Sequence, residues 1–439
     1  MKSLIYRDYG DFFVAYAPYS NNYLIIEDIF SDFFRMEYIE KMSVNEIEKY
    51  ISTEYSVDPI IVRQDLMQFH NEIASAQIIQ KPLSENHSPN RSIIQQVIFD
   101  RMSELIIPFS ATIEITDKCN LNCIHCYRGD ANRSFWTESS FYNALFELKS
   151  LGTMNLTITG GEPFAHPLIN SFLNTTEQLG FVVSVQSNLL LLNDSIIDSL
   201  SKNAINDVSV SLYSTRADEH DAITQFPGSM QKTITNIKRL IENGIPVSIN
   251  CPIMSINKNA MADMRKFADS LGIDIKFALK IIPSQYNNKH IENLNVFNKE
   301  FILSSMLNPK IELYKNELEN IRESNPGKRY CQTGFRSITF DAQGNMLICN
   351  AYRKNCGSLK NTTVKNLWRN SSNLRQWREK TSLIREKCQK CDAYAYCEPC
   401  PAHSYTLTGD ENNIDELTCL FGKDFFAADM ENIKKGGEN

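Results

Sequence analysis

The reading turns on the stretch Thr112-Ile-Glu-Ile-Thr116-Asp-Lys-Cys119-Asn-Leu-Asn-Cys123-Ile-His125-Cys126-Tyr127. Thr112–Thr116 reads as a strand, and three cysteines follow it directly. Thiolates spaced x3 and x2 can wrap one corner of an iron–sulfur cluster and leave one iron open to another ligand. The competing reading is a closed zinc site with a borrowed fourth ligand such as His125. The spacing departs from the C-x2-C pairs that zinc sites favour.

Working outward, Thr159-Gly160-Gly161-Glu162-Pro163 follows a second strand, Leu156–Thr159. It should therefore lie beside the cysteine loop at the same end of a sheet. Two glycines let backbone groups approach a ligand closely, and Glu162 can accept from an ammonium. Further strands are expected at Val182–Gln186, Val208–Leu212, Val247–Pro252 and Asp274–Leu279. Helical stretches such as Ser139–Leu151 and Met230–Asn243, the latter closed by Gly244, fall between them. Alternation of this kind implies parallel strands with crossover helices, an α/β fold built as a partial (β/α)6 barrel. Such enzymes react at the carboxyl ends of their strands, where both motifs sit.

With the two motifs side by side, residues 108–300 resemble the radical S-adenosylmethionine (SAM) superfamily. The resemblance implies a [4Fe–4S] cluster on Cys119, Cys123 and Cys126, with SAM chelating the open iron. It assigns Gly161 and Glu162 to the methionine amino group, and Ser187, Asn188 and Ser211 to ribose and carboxylate. Tyr127 and the pair Ile253–Met254 would flank adenine. The implied chemistry is reductive cleavage of SAM to a 5′-deoxyadenosyl radical that abstracts an unactivated C–H hydrogen. The barrel would exclude water and hold the target bond close. No catalytic base is assigned; Tyr213 and Asp117 lie near the expected mouth without a role.

Of twelve cysteines, eight lie from Cys331 to Cys419, and Cys251 stands alone as a small buried hydrophobe. The order is Cys331, Gly344-x4-Cys349, Cys356, then Cys388-x2-Cys391-x5-Cys397-x2-Cys400 and Cys419. Alone, Cys388 to Cys400 reads as a zinc knuckle. Beside a [4Fe–4S] loop, the order resembles the SPASM extension of radical SAM enzymes, which binds two auxiliary [4Fe–4S] clusters. That resemblance gives Cys331, Cys349 and Cys400 to one cluster, and Cys388, Cys391, Cys397 and Cys419 to the other. The first lacks a cysteine shortly upstream of Cys331; Cys356 is the candidate fourth ligand, and an open iron is the alternative. Apolar residues are thin in this segment, so metal should supply part of its folding free energy.

Residues 1–80 read as a small α+β unit. Phe12–Tyr16 and Tyr23–Ile26 are strand-like, and Ser43 with Glu46 forms a capping box ahead of a helix over Asn45–Ile51. Val62, Leu66, Phe69 and Ile73 recur at helical spacing. The unit, with an Ile26–Phe34 helix, resembles the winged-helix peptide-binding domain fused to many peptide-modifying radical SAM enzymes. Its implied use is β-augmentation by a leader peptide; the alternative is a structural cap over the barrel mouth. The expected division is 1–80 for leader recognition, 81–107 as linker, 108–300 as barrel, 301–425 as bridge and SPASM domain, and 426–439 as polar tail.

The chain has 439 residues, enough for about three domains. Lys+Arg number 45 against 52 Asp+Glu, a net charge of −7 without a basic block, which excludes a nucleic-acid binder. No apolar run approaches the ~20 residues of a membrane helix, and Arg7 and Asp8 interrupt any signal peptide. The expectation is a soluble cytoplasmic enzyme with no membrane partner. The leading function is a maturase that installs a carbon–carbon or thioether cross-link in a ribosomally made precursor peptide, with flavodoxin or ferredoxin as electron donor. A sulfatase-maturase-like Ser/Cys dehydrogenase ranks second, because Asn350 occupies the position where those enzymes carry a basic Asp. A small-molecule dehydrogenase ranks third, since it leaves residues 1–80 unexplained. A zinc-rich peptide-binding scaffold is the non-enzymatic alternative.

Overall fold

The computed structural model describes residues 4–18, 20–78, 89–126, 136–281, 294–296, 331–380, 388, 390–394, 397, 400–413 and 416–436. The first unit is an antiparallel meander of β1 (Ile5–Asp8), β2 (Phe13–Ala17) and β3 (Asn22–Ile26), in that order. Four helices follow, α1 (Asp28–Phe34), α2 (Val44–Glu54), α3 (Pro59–Ile78) and α4 (Pro89–Glu104), with a π-helical turn over Arg35–Ile39. The expected capping box starts α2: Ser43 Oγ accepts from Glu46 N, and Glu46 Oε2 accepts from Ser43 N at 2.7 Å. It satisfies two amide donors that the first helical turn leaves without partners.

Strand alternation gives β2 two buried faces. Phe13, Ala15 and Ala17 pack with Phe33, Phe34, Ile47, Leu66 and Phe69 beneath the helices. Phe12, Val14 and Tyr16 pack with Phe109, Met154, Val182 and Ala204. Those four residues stand at the amino ends of the barrel strands. Arg7 strengthens the seam, donating from Nε to Thr153 O and from Nη2 to Gly180 O, both at 2.8 Å. The amino-terminal unit therefore docks at the end of the barrel opposite the cysteine loop, which corrects the reading of a cap over the mouth. Within 81–107, read as a linker, α4 buries Ile98 and Met102 in this same core. Their i, i+4 spacing was hidden behind the polar run before them.

The main sheet has nine strands in the order β12-β11-β10-β4-β5-β6-β7-β8-β9. Its six expected parallel strands are β4 (Ser110–Glu114), β5 (Asn155–Thr159), β6 (Val182–Ser187), β7 (Ala204–Ser211), β8 (Val247–Pro252) and β9 (Asp274–Ala278). Connecting helices are α5 (Glu138–Ser150), α6 (Ile169–Leu179), α7 (Asp194–Lys202), α8 (Ala217–Thr224), α9 (Ser229–Glu242) and α10 (Met261–Leu271). A seventh parallel strand, β10 (Ser337–Phe340), was not foreseen: it joins the free edge of β4, with Ser337 opposite Ser110 and Phe340 opposite Ile113. β11 (Asn345–Leu347) and β12 (Asn355–Ser358) extend it antiparallel. The carboxyl-terminal segment then folds as α11 (Val364–Asn370), α12 (Ser372–Lys380), α13 (Pro401–Thr408) and α14 (Glu416–Gly436). It is thereby continuous with the barrel. Trp136 Nε1 binds the carbonyls of both Glu114 and Asp341, at 3.0 and 3.2 Å.

The two faces of the parallel sheet differ. Ile113, Ile158, Val185, Val210 and Ile249 are buried against the helices. On the other face, register aligns Thr112, Thr157, Ser184 and Asp207 in one row, and Gln186, Ser209, Ser248 and Asp274 in the next. All eight are half-buried or exposed. Parallel sheets covered on both faces read as apolar runs; here the inner face is a polar wall.

Candidate functional site

The cysteine loop leaves β4 at Thr116 and is fixed at once by the Gly-Gly-Glu turn. Gly161 N donates to Thr116 O at 2.7 Å, and Glu162 N to Lys118 O at 2.9 Å. A Cβ on Gly160 would stand 2.5 Å from Thr116 O, and one on Gly161 would stand 2.5 Å from the carbonyls of Asp117 and Lys118. The glycines are thus required by the crossing of two backbones, a nearer reason than the approach of a ligand. Asn122 N and Ile124 N donate to Thr224 O and Ile223 O, which anchors the loop to the end of α8. Asn188 Nδ2 donates to Asn120 Oδ1 at 3.0 Å and ties the loop to β6.

Cys119, Cys123 and Cys126 converge on this loop. Burial pushes the Cys123 thiol up to about 12, and the charges of Cys126 and Cys119 push it in the same direction. Cys119 is raised by burial first as well. Burial and neighbouring negative charge make Cys119 and Cys123 resist ionisation, and a cationic iron cluster relieves both, so these residues with Cys126 fit the group. His125 Nε2 is buried beside them without a hydrogen-bond partner.

Glu162 is 1% exposed and its carboxylate organises the adjoining strand end. Oε1 accepts from Ser187 Oγ at 2.7 Å and from Phe164 N at 3.0 Å, and Oε2 accepts from Asn188 N at 2.8 Å. A carboxylate offers about four lone-pair sites, so one remains. Burial pushes Glu162 up to about 7 against those three hydrogen bonds. An arriving ammonium would complete the set and restore the charge. Ser187 and Asn188 are held by the same network, and Leu189, next in sequence, takes a left-handed backbone with φ of +63°. Ser211 ends β7 on the polar wall, across from Asn250. Ile253 is buried in the barrel core, while Met254 packs with Tyr213 and Ile223 against Cys123 and Ile124. Tyr127 lies outside the described residues.

In the carboxyl-terminal segment, the thiols fall into two groups. The charge of Cys400, then that of Cys331, acts on Cys349, which burial has already pushed up to about 12. Cys419, Cys388 and Cys391 act in the same way on Cys397. The closeness of this second group needs Gly422, where a Cβ would stand 2.9 Å from Cys397 Cβ. Cys356 is not brought to the first group. It is 5% exposed on the inward face of β12, near Ser371, Lys354 and Arg378. Strand alternation turns Asn355 outward and Cys356 into the core. Two residues without a spacing signature also belong here. Lys280, just past β9, acts on the thiols of both Cys397 and Cys400. Tyr213, two residues past the end of β7, packs with Met254 and Ile223 on Cys123; its one sequence signal is its place two residues after Ser211.

Comparison with known proteins agrees with this geometry. Residues 113–268 match the radical SAM superfamily, and residues 331–401 match the SPASM iron–sulfur cluster-binding domain. The AdoMet-dependent heme synthase of Methanosarcina barkeri is 24% identical over 70% of this chain and 95% of its own length. The antilisterial bacteriocin subtilosin biosynthesis protein AlbA of Bacillus subtilis is 24% identical over 71% of each chain. Streptococcus suis SuiB superposes with a TM-score of 0.60 at 15% identity, covering 95% of this chain and 99% of its own. SuiB structures include one bound to SAM and one bound to the precursor peptide SuiA.

Proposed function

We propose that this chain, a radical SAM iron–sulfur enzyme with a SPASM domain, cross-links a ribosomally made precursor peptide through a carbon–carbon or thioether bond. When bound, a reduced [4Fe–4S] cluster and SAM supply a radical that abstracts an unactivated C–H hydrogen. Cys119, Cys123 and Cys126 would hold that cluster; Glu162 would take the methionine ammonium on its unused lone pair. Cys331, Cys349 and Cys400 would hold one auxiliary cluster, and Cys388, Cys391, Cys397 and Cys419 the other, in position to take up the electron left after ring closure.

The polar inner face of the barrel carries the peptide reading. Rows of Thr, Ser, Gln and Asp can satisfy the amide groups of an extended peptide, which are costly to bury unpaired. Similarity to AlbA and SuiB supports the same class. The amino-terminal sheet supports leader docking, since among the described residues β1 and β3 each pair with β2 alone and an edge strand can add another. Asn350 weighs against a Ser/Cys dehydrogenase, because an amide cannot accept the proton.

The test is anaerobic incubation of the reconstituted enzyme with SAM, a low-potential reductant and the peptide encoded beside its gene. A product lighter by two hydrogens, with a new intramolecular link in its fragmentation, is expected. SAM cleavage without any change in the peptide would sink the maturase reading. In the cell a flavodoxin or ferredoxin of a reducing cytoplasm would supply the electrons. No helix among the described residues is long and apolar enough to cross a membrane.

A further inference from the structure

Cys123 hangs from the end of a helix. The amides on either side of it, Asn122 N and Ile124 N, donate to Thr224 O and Ile223 O at 3.4 and 3.0 Å. Those are the last two carbonyls of α8, which a helix by itself leaves without partners. Packing closes the contact, since Ile223 lies with Cys123 and Ile124 in one apolar cluster. The position of Cys123 therefore follows that of α8.

A buried side chain ties that helix to the barrel. His220, in the middle of α8, is 1% exposed. Its Nδ1 accepts from Tyr213 N at 3.2 Å, and its ring stacks on that of Tyr213 at 5.2 Å. An amide nitrogen only donates, so Nδ1 carries the lone pair and the ring proton sits on Nε2. A second tie, from Ser214 Oγ to Glu219 Oε2 at 2.6 Å, lies nearer to solvent. The backbone that His220 grips is fixed from the far side as well. Asn257, which is 0% exposed, donates from Nδ2 to Tyr213 O at 2.7 Å and to Pro252 O at 3.0 Å. Its Oδ1 accepts from Met254 N at 2.7 Å. An unbroken line of contacts thus runs from the end of β8 through Tyr213 and His220 to the end of α8 and the two amides around Cys123.

We propose that His220, by accepting from Tyr213 N, holds α8 and with it Cys123 where the thiols of Cys119, Cys123 and Cys126 can share one cluster and leave an iron open to SAM. Without that acceptor, Tyr213 N would be buried and unpaired, and the segment would shift to satisfy it. Binding sites of this kind need their groups held within roughly 0.5 Å. His220 acts through the backbone of α8, so it is a positioning residue. The inference rests on the cluster assignment and is independent of the peptide reading.

The experiment is electron paramagnetic resonance on the reconstituted, reduced full chain titrated with SAM, with iron counted per chain. His220→Asn sets its side-chain oxygen near the place of Nδ1 and keeps the acceptor; His220→Gln carries the oxygen one bond further, and His220→Leu removes it. His220→Leu and His220→Gln should need about tenfold more SAM for the same spectral change, the worth of one hydrogen bond, with His220→Asn within about twofold of wild type. Loss of about four iron atoms in the first two variants, retained in His220→Asn, would support the proposal equally. Signals that SAM does not change should be the same in all four chains. A merely structural role would make His220→Asn and His220→Gln lose together, and that result would overturn the proposal. Equal SAM dependence in all iron-loaded chains would overturn it too. Should His220→Leu fail to fold, His220→Asn against His220→Gln decides alone. A wild-type chain with no SAM-responsive signal would overturn the cluster assignment and this inference together.

Discussion

Arg353 grips Glu114 with both guanidinium nitrogens, Nη1 to Oε1 at 2.7 Å and Nη2 to Oε2 at 2.9 Å, across 239 residues of sequence. Glu114 ends β4, just before the cysteine loop, and its side chain is 0% exposed; that of Arg353 is 7% exposed. The pair therefore joins the SPASM segment to the barrel beside the first cluster loop. The geometry is the bidentate fork that Arg makes with carboxylates and Lys cannot.

Breaking this pair should be costly because it strands a buried charge. Arg353→Met or Glu114→Leu alone should each destabilise the chain by about 3–5 kcal/mol, and the double variant by clearly less than their sum. Denaturant midpoints of the four proteins check this. Additive losses would mean the two residues act separately.

The cysteine assignments separate by iron content. Cys123→Ala should abolish SAM cleavage, and Cys349→Ala should remove about four iron atoms per chain. Cys356→Ala should keep the wild-type iron content and cost roughly 1–3 kcal/mol of stability from a small core cavity. Loss of iron in Cys356→Ala would restore it as a ligand.

Glu162 sets a pH dependence whose sign is fixed. Burial raises its folded-state pKa from 4.5 to about 7, so the folded chain binds the proton more tightly than the unfolded one. This contribution is fully present below about 4.5 and is lost as pH rises through about 7. The loss is roughly 3 kcal/mol at most. Glu162→Gln should flatten the pH slope of urea stability in that window. Saturating SAM should flatten it too, since an ammonium favours the ionised carboxylate. An unchanged slope with SAM bound would remove Glu162 from the amino-group site.

Docking at the amino ends of the strands sets a minimum reach for the precursor. The longest strand, β7, has eight residues, or roughly 26 Å at 3.3 Å each. A leader bound to the edge of the first sheet needs at least about eight extended residues to reach the carboxyl-end loops. Precursors with shorter spacers should bind with undiminished affinity and remain unmodified, as titration and mass spectrometry would read. Modification with a much shorter spacer would place the leader elsewhere. Deleting residues 4–78 is the wrong test of docking, because it exposes Phe109, Met154, Val182 and Ala204. It should instead lower barrel stability.

What the sequence determined by itself is what short-range pattern encodes. Strand–helix alternation placed the six parallel strands, the Ser43 box placed the start of α2, and the cysteine spacings with Gly-Gly-Glu-Pro pointed to the loops proposed to hold the clusters. Each is set by a few neighbouring residues and a period. What only the tertiary structure decided involves partners far apart in the chain. Glycines 160 and 161 answer to the backbone of residues 116–118. Cys356 faces the core because β12 alternates that way, and β10 attaches to β4 by register. Tyr213 meets Cys123, and Arg353 meets Glu114, only once the barrel has closed. Such contacts depend on which surfaces pack together, and that depends on burial and shape over the whole chain rather than on any local spacing.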